Sequence, residues 1–196
     1  PVDGERLGCD FLSATGRKYL RAPRGTGFLY VRERFINQLE PGQLDTGSAE
    51  WSDREEYPPL DSARRFELWE SNLPGKLGLK VAFDYAWDLG IEHVWERVQV
   101  LAARLRQQLS EIPGVHVMDL GAVQSGIVSF YAEQLQAEQL KERLLANQIN
   151  VSLIHPSGAL LDSLHRDLPP MIRASVHYYN SEEEITRFIT FLKTVL

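Results

Sequence analysis

The sequence predicts an α/β protein in two parts, a leading segment with strands and one long helix, then a small α+β domain. Two observations predict it. Between Val94 and Ile112 the residues Val94, Val98, Leu101, Leu105, Leu109 and Ile112 recur at spacings of three and four, the repeat of an amphipathic helix. Around that helix lie short β-prone runs at 28–31, 126–131 and 171–176, set off by glycine and proline. The change of pattern places the boundary near 88–92, giving segments 1–90 and 91–196.

In the leading segment, residues 10–14 and 28–31 read as strands. Residues 40–59 are polar, with Pro41-Gly42 and Pro58-Pro59 as breakers, and read as a long loop of the kind that is usually functional or mobile. A helix is expected over 74–89, with Leu77, Val81 and Tyr85 on one face and Gly90 as its stop. In the second segment Pro113-Gly114 ends the long helix, and strands are expected at 115–118 and 126–131. A helix carrying Ala137, Leu140 and Leu144 follows, then an alternating strand with Ile149, Val151 and Leu153. Residues 155–170 read as a loop, and 171–176 as a strand. Ser181 with Glu184 three residues on forms a capping box for a last helix that buries Ile185, Phe188, Ile189 and Leu192.

Composition limits the function classes. With 43% hydrophobic residues in 196, the chain can build one sizeable core or two small ones. A formal net charge of −6 argues against nucleic acid or anionic lipid as the main partner. No apolar run is long enough to span a membrane. A single cysteine, Cys9, excludes an internal disulfide framework and makes a reducing cytoplasm the default expectation; small and apolar in character, it reads as structural. The four tryptophans, Trp51, Trp69, Trp87 and Trp95, read as packing residues, with Trp69 the best candidate for a pocket wall.

Chemistry concentrates between Gly8 and Arg32. Lys18 follows a short apolar stretch and precedes a glycine-rich turn and a second apolar run, a place where a partly desolvated amine can have the lowered pKa that Schiff-base chemistry requires. Thr15, Gly16 and Arg17 supply a hydroxyl, a backbone amide and a cation next to it, a set that suits an anionic group such as a phosphate. A strand, a turn and an ordinary surface lysine would read the same way on composition alone. In Met171-Ile172-Arg173-Ala174-Ser175-Val176 the alternation sets Arg173 opposite Ile172, Ala174 and Val176, where its rigid two-donor fork suits a carboxylate; a salt-bridged strand arginine is the other reading. His155, His165 and His177 do not have the spacing of a metal-ligand set, so no metal is expected.

The run Thr15-Gly16-Arg17-Lys18, then Ala22-Pro23-Arg24-Gly25-Thr26-Gly27 and Phe28-Leu29-Tyr30-Val31, resembles the cofactor-lysine region of the class V aminotransferase group of fold-type-I pyridoxal-phosphate enzymes, which includes cysteine desulfurases. Two more stretches follow in the family's order: Arg64-Arg65-Phe66-Glu67 with Asn72, and Arg173-Ala174-Ser175 with Tyr179-Asn180. The resemblance implies that residues 1–90 are the C-terminal part of the large pyridoxal-phosphate-binding sheet domain and 91–196 the small α+β C-terminal domain. It further implies that the chain is a C-terminal portion, without the family's ring-stacking residue, its aspartate for the pyridine nitrogen and one main phosphate loop. The leading segment is then expected to expose strand edge and apolar surface.

By the same resemblance Lys18 carries pyridoxal 5'-phosphate, Thr15 and Arg17 contact it, and Arg173 binds the α-carboxylate of an amino-acid substrate, in a homodimer. The activity expected first is amino-group transfer. A C–S lyase or epimerase of the same family is the alternative, and a non-catalytic or oligomerisation domain is a third reading. Three departures from the family pattern bear on this. Residues 155–170 contain no cysteine, which disfavours the desulfurases' persulfide route; Trp69-Glu70-Ser71 replaces the usual glycine and threonine, so no phosphate contact is assigned there; and Arg17 replaces the usual histidine.

Overall fold

The computed structural model describes residues 1–196 and separates into two units, Pro1–Ile91 and Glu92–Leu196. In the first, a one-turn helix α1 (Gly4–Leu7) begins where the Asp3 carboxylate accepts from the amides of Glu5 and Arg6, and ends at Gly8, whose φ of 66° needs glycine's freedom. Strands β1 (Phe11–Thr15) and β2 (Gly27–Val31) pair antiparallel, Phe11 opposite Val31 and Thr15 opposite Gly27, so residues 16–26 form the connection at one end of a two-stranded ribbon. A short helix α2 (Glu33–Ile36) and a 3-10 turn (Ala63–Phe66) follow. Helix α3 (Leu73–Leu89) starts at Asn72, whose Oδ1 accepts from the Gly75 amide at 2.9 Å, and stops at Gly90.

This unit buries few apolar side chains: Ala22, Val31 and Ala86. Phe28, Leu29 and Tyr30 on β2 are exposed, and so are Leu77, Val81 and Tyr85 of α3, the face that the periodicity marked as apolar. Both outer edges of the ribbon lack a neighbouring strand. The expected loop at 40–59 has more order than its composition suggests, because bridges Ala49 to Pro59 and Asp53 to Glu56 fold it into a narrow hairpin. The tryptophan expectation needs correcting: Trp51, Trp69 and Trp87 are 77%, 66% and 82% exposed, since this unit has no core large enough to receive an indole.

The second unit has the core that the first lacks. Helix α4 (Ile91–Ser110) buries Val98, Leu101, Ala102, Leu105 and Leu109 along one stripe, and Gly114, at φ 75°, turns the chain into β3 (Val115–Val117). Then come β4 (Ile127–Ala132), α5 (Ala137–Ala146), β5 (Ser152–Ile154), α6 (Leu160–Arg166), β6 (Met171–Ser175) and α7 (Glu182–Val195). The strands form one antiparallel sheet in the order β3-β4-β6-β5, with Val128 opposite Ala174 and Phe130 opposite Ile172. The sheet's buried face, α4, α5 and α7 share a single cluster that includes Phe130, Leu101, Leu140, Leu144, Ile172 and Leu192.

Residues 155–170 are not the loop the sequence predicts. A 3-10 turn (Pro156–Ala159) leads into α6, which ends at Asp167 in the left-handed conformation, φ 50°. Arg166 ties the helix down, pairing with Asp162 and donating to the Met118 carbonyl at 2.7 Å, while Leu160, Leu161 and Leu164 remain exposed. At the last helix the capping box forms: Ser181 Oγ accepts from the Glu184 amide, and Glu184 Oε2 accepts from the Ser181 amide. Hydrogen bonds from Asn180 and the Ser181 amide hold the Glu184 carboxyl below its ordinary pKa. Ser181→Ala is expected to lower stability by about 1 kcal/mol, read as a shift in the urea midpoint at unchanged slope.

Candidate active site

The lysine turn is built from the ends of β1 and β2. The Gly16 amide donates to Thr26 O, the Ala22 amide to Gly16 O and the Arg21 amide to Lys18 O, each at 2.9 Å, so residues 16–26 close on themselves. Thr26 Oγ1 donates to Pro23 O at 2.6 Å and fixes the glycine-rich half. One expectation is overturned here: Gly16 does not offer its amide to a ligand, because that group is engaged with Thr26 and the residue is buried. Its lack of a side chain serves packing instead. A Cβ at Gly16 would lie 2.6 Å from Thr26 Oγ1 and 2.8 Å from Leu79 Cδ1. Gly16→Ala is therefore expected to cost about 1–3 kcal/mol in chemical denaturation, and to raise hydrogen exchange across 16–26.

Lys18 sits at the tip of this turn, exposed, with no hydrogen bond or ion pair to its amine. The other lysines of the unit are engaged, Lys76 with Glu67 at 3.1 Å and Lys80 with Asp84. The partly desolvated pocket expected around Lys18 is not supplied by this chain. Thr15 and Arg17 flank it, both exposed. Arg17, Lys18, Arg21 and Arg24 put four cations within eight residues, and no acidic residue occurs from Phe11 to Arg32, so the turn is a locally positive surface on an acidic chain. Next to Lys18, burial pushes the Tyr19 hydroxyl above its ordinary pKa, which keeps it protonated as a donor.

Two further parts of the unit carry polar groups that sequence reading assigned no work. Asp45 accepts from the Gly47 amide at 2.8 Å and the Trp69 amide at 2.7 Å; those two bonds hold its carboxyl below the ordinary carboxylate range and pin 45–48 to the Trp69-Glu70 segment. Arg65, within the Arg-Phe-Glu motif, is 5% exposed and donates from Nη1 to Asn37 Oδ1 at 2.7 Å. Neither role shows in the sequence, because Trp69 lies 24 residues from Asp45 and Asn37 lies 28 from Arg65.

In the second unit Arg173 is exposed on β6 while Ile172 and Ala174 are buried, the alternation the sequence predicts. Its Nη2 lies 3.4 Å from Ser152 Oγ, a long contact, and no carboxylate pairs with it. Cys9, the one thiol, is half-buried beside α1 with Sγ 3.5 Å from Gly4 O. His155 lies 4.0 Å from a Glu138 carboxylate oxygen, and the His177 ring stacks on Tyr179.

The model of the family described as Aminotransferase class-V matches residues 1–188. The chain belongs to the class V aminotransferase family. Among class V relatives, a probable cysteine desulfurase of Xylella fastidiosa is 31% identical over 199 residues, which cover 99% of this chain and 46% of the relative. An apo cysteine desulfurase from Thermococcus onnurineus superimposes with a TM-score of 0.89 at 28% identity, over 98% of this chain and 48% of that one. The cystine C–S lyase C-DES, solved with its product cysteine persulfide, gives 0.81 at 27% identity over the same shares, and a mutant of that lyase holds glycine covalently linked to its PLP cofactor. The chain thus spans about half the length of the class V relatives it matches, and its α/β fold is that of the matching half.

Proposed function

We propose that this chain is the lysine-bearing part of a pyridoxal-phosphate-dependent C–S lyase that acts on a sulfur-containing amino acid. The observation that carries the cofactor reading is the Lys18 turn: an unpaired amine at the tip of a closed connection, among cations and free of carboxylates. That donor set fits the group. The amine suits an aldehyde carbon, and the Arg17 guanidinium with the Thr15 hydroxyl suits a phosphate. Segment 1–90 is accordingly read as part of the cofactor-binding domain and 91–196 as the small C-terminal domain.

When bound, pyridoxal phosphate supplies an electron sink for the pair left behind as a bond to the substrate α-carbon breaks. Lys18 Nζ would hold the cofactor and, as a free amine, would be the base for the proton on the substrate α-carbon. Arg17 neutralises phosphate charge and Arg173 orients the substrate carboxylate through its two-donor fork. The proton held on Lys18 Nζ would then be at hand as the Cβ–S bond breaks and the sulfur leaves with the bonding pair.

Cleavage without a protein persulfide is favoured over the desulfurase route because α6 and its flanks carry no cysteine, and Cys9 lies beside α1. The names of the relatives also favour C–S cleavage over the amino-group transfer that the sequence placed first. Incubation with pyridoxal phosphate and cystine, followed by assay of ammonia and persulfide, tests the reading. Ammonia and persulfide in equal amounts are expected; amino-group transfer to an added keto acid, with no sulfur product, would replace this reading by the transaminase one.

A further inference from the structure

We propose that Arg21 is a positioning residue for Lys18, holding the lysine turn against α3 through the ring of Tyr85 and so setting where the amine is presented. The proposal rests on the reading above for what the amine does, and on the geometry of the first unit for how the turn is held. Arg21 has φ 56°, in the left-handed region that L side chains rarely adopt, although it is not glycine. Its amide donates to the Lys18 carbonyl at 2.9 Å, so the strained residue is the one that closes the turn on Lys18. Its guanidinium carbon lies 4.9 Å from the centroid of the Tyr85 ring, the arrangement of a cation over an aromatic face.

The same helix receives the connection at two other points. Leu79 packs against Gly16, and Pro23 sits on Gly78, where a Cβ would come within 2.6 Å of the proline ring. Positions 78 and 85 are seven apart, hence on one side of α3, with 79 adjacent. Helix α3 is thus a platform for residues 16–26, and Arg21 is the contact that reaches it from the residue hydrogen-bonded to the lysine's carbonyl. A strained conformation persists only where its surroundings over-determine it. A glycine would adopt this backbone freely but could not reach the helix; arginine accepts the strain and supplies the anchor.

The test compares Arg21→Asn, which tolerates the left-handed backbone but lacks the guanidinium, with Tyr85→Leu, which removes the ring, and Tyr85→Phe, which keeps it. Tyr85 is 49% exposed, so neither change at that position empties a core. Amide exchange at Gly16, Arg21 and Ala22 is measured in the 196-residue chain without cofactor, alongside borohydride-trapped pyridoxal phosphate on Lys18. Exchange about three- to fivefold faster in Arg21→Asn and Tyr85→Leu, with Tyr85→Phe like the parent, is the expected result. Slower trapping at Lys18 in the same two variants should accompany it. Unchanged exchange in both overturns the proposal, and so does altered exchange with unaltered trapping. Faster exchange in the two variants, with a parent protein that traps no cofactor on Lys18, would sink the cofactor reading while leaving the Arg21 anchor supported.

Discussion

Lys18→Ala is expected to abolish covalent capture of pyridoxal phosphate and, on the C–S lyase reading proposed above, to lower that cleavage by about a thousandfold or more. The expectation follows from the contrast among the lysines of the first unit. Lys76 pairs with Glu67 and Lys80 with Asp84, whereas Lys18 makes no ion pair and no acidic residue occurs from Phe11 to Arg32. The variant keeps Arg17, Arg21 and Arg24, so the positive turn still attracts a phosphate; what disappears is the nucleophile. Borohydride reduction with pyridoxal phosphate, followed by peptide mass analysis, separates the two effects. Label confined to Lys18 in the parent and absent from the variant is the expected pair of results. Label spread over Lys141 and Lys193 as well would mean that the turn has no special reactivity.

The largest expected effect on stability lies in the other unit. Phe130→Ala should cost about 3–5 kcal/mol, the range for emptying an aromatic site in a packed core. Phe130 is fully buried on β4, pairs with Ile172 of β6, and meets Phe188 of α7 edge-on at 6.1 Å between centroids. It therefore joins the centre of the sheet to the last helix, and few neighbours can shift to fill the hole without breaking strand register. Against a total stability of roughly 5–15 kcal/mol for a domain, the loss should lower the thermal midpoint by more than about 10 °C, read by circular dichroism. A midpoint within a few degrees of the parent would show that the sheet does not depend on this contact.

The second unit was legible because its elements bury what their patterns display. Leu101, Leu105 and Leu109 repeat along α4 and are buried there; Ile172 and Ala174 alternate with Arg173 and face the core. Helix α6 escaped notice because it is only seven residues long, follows Pro156 and Gly158, and leaves three leucines exposed, so no buried stripe marked it. In the first unit the pattern identified α3 but not the state of its face, since Leu77 and Val81 are exposed and Tyr85 is only half-covered. Lys18, Thr15, Arg17 and Arg173 are proposed from motif and resemblance, and the structure adds their exposure and hydrogen bonding. The partners of Arg21, Asp45 and Arg65 depend on contacts between distant stretches, which periodicity does not encode.

The first unit's thin interior shapes how the 196-residue chain behaves in solution. Phe28, Leu29 and Tyr30 stand exposed on a ribbon whose two edges lack a neighbouring strand. Such an edge is a template for strand addition by a second molecule. The recoverable yield of this polypeptide should therefore fall as its concentration rises, and follow the surface of the first unit more closely than the stability of the packed core in the second.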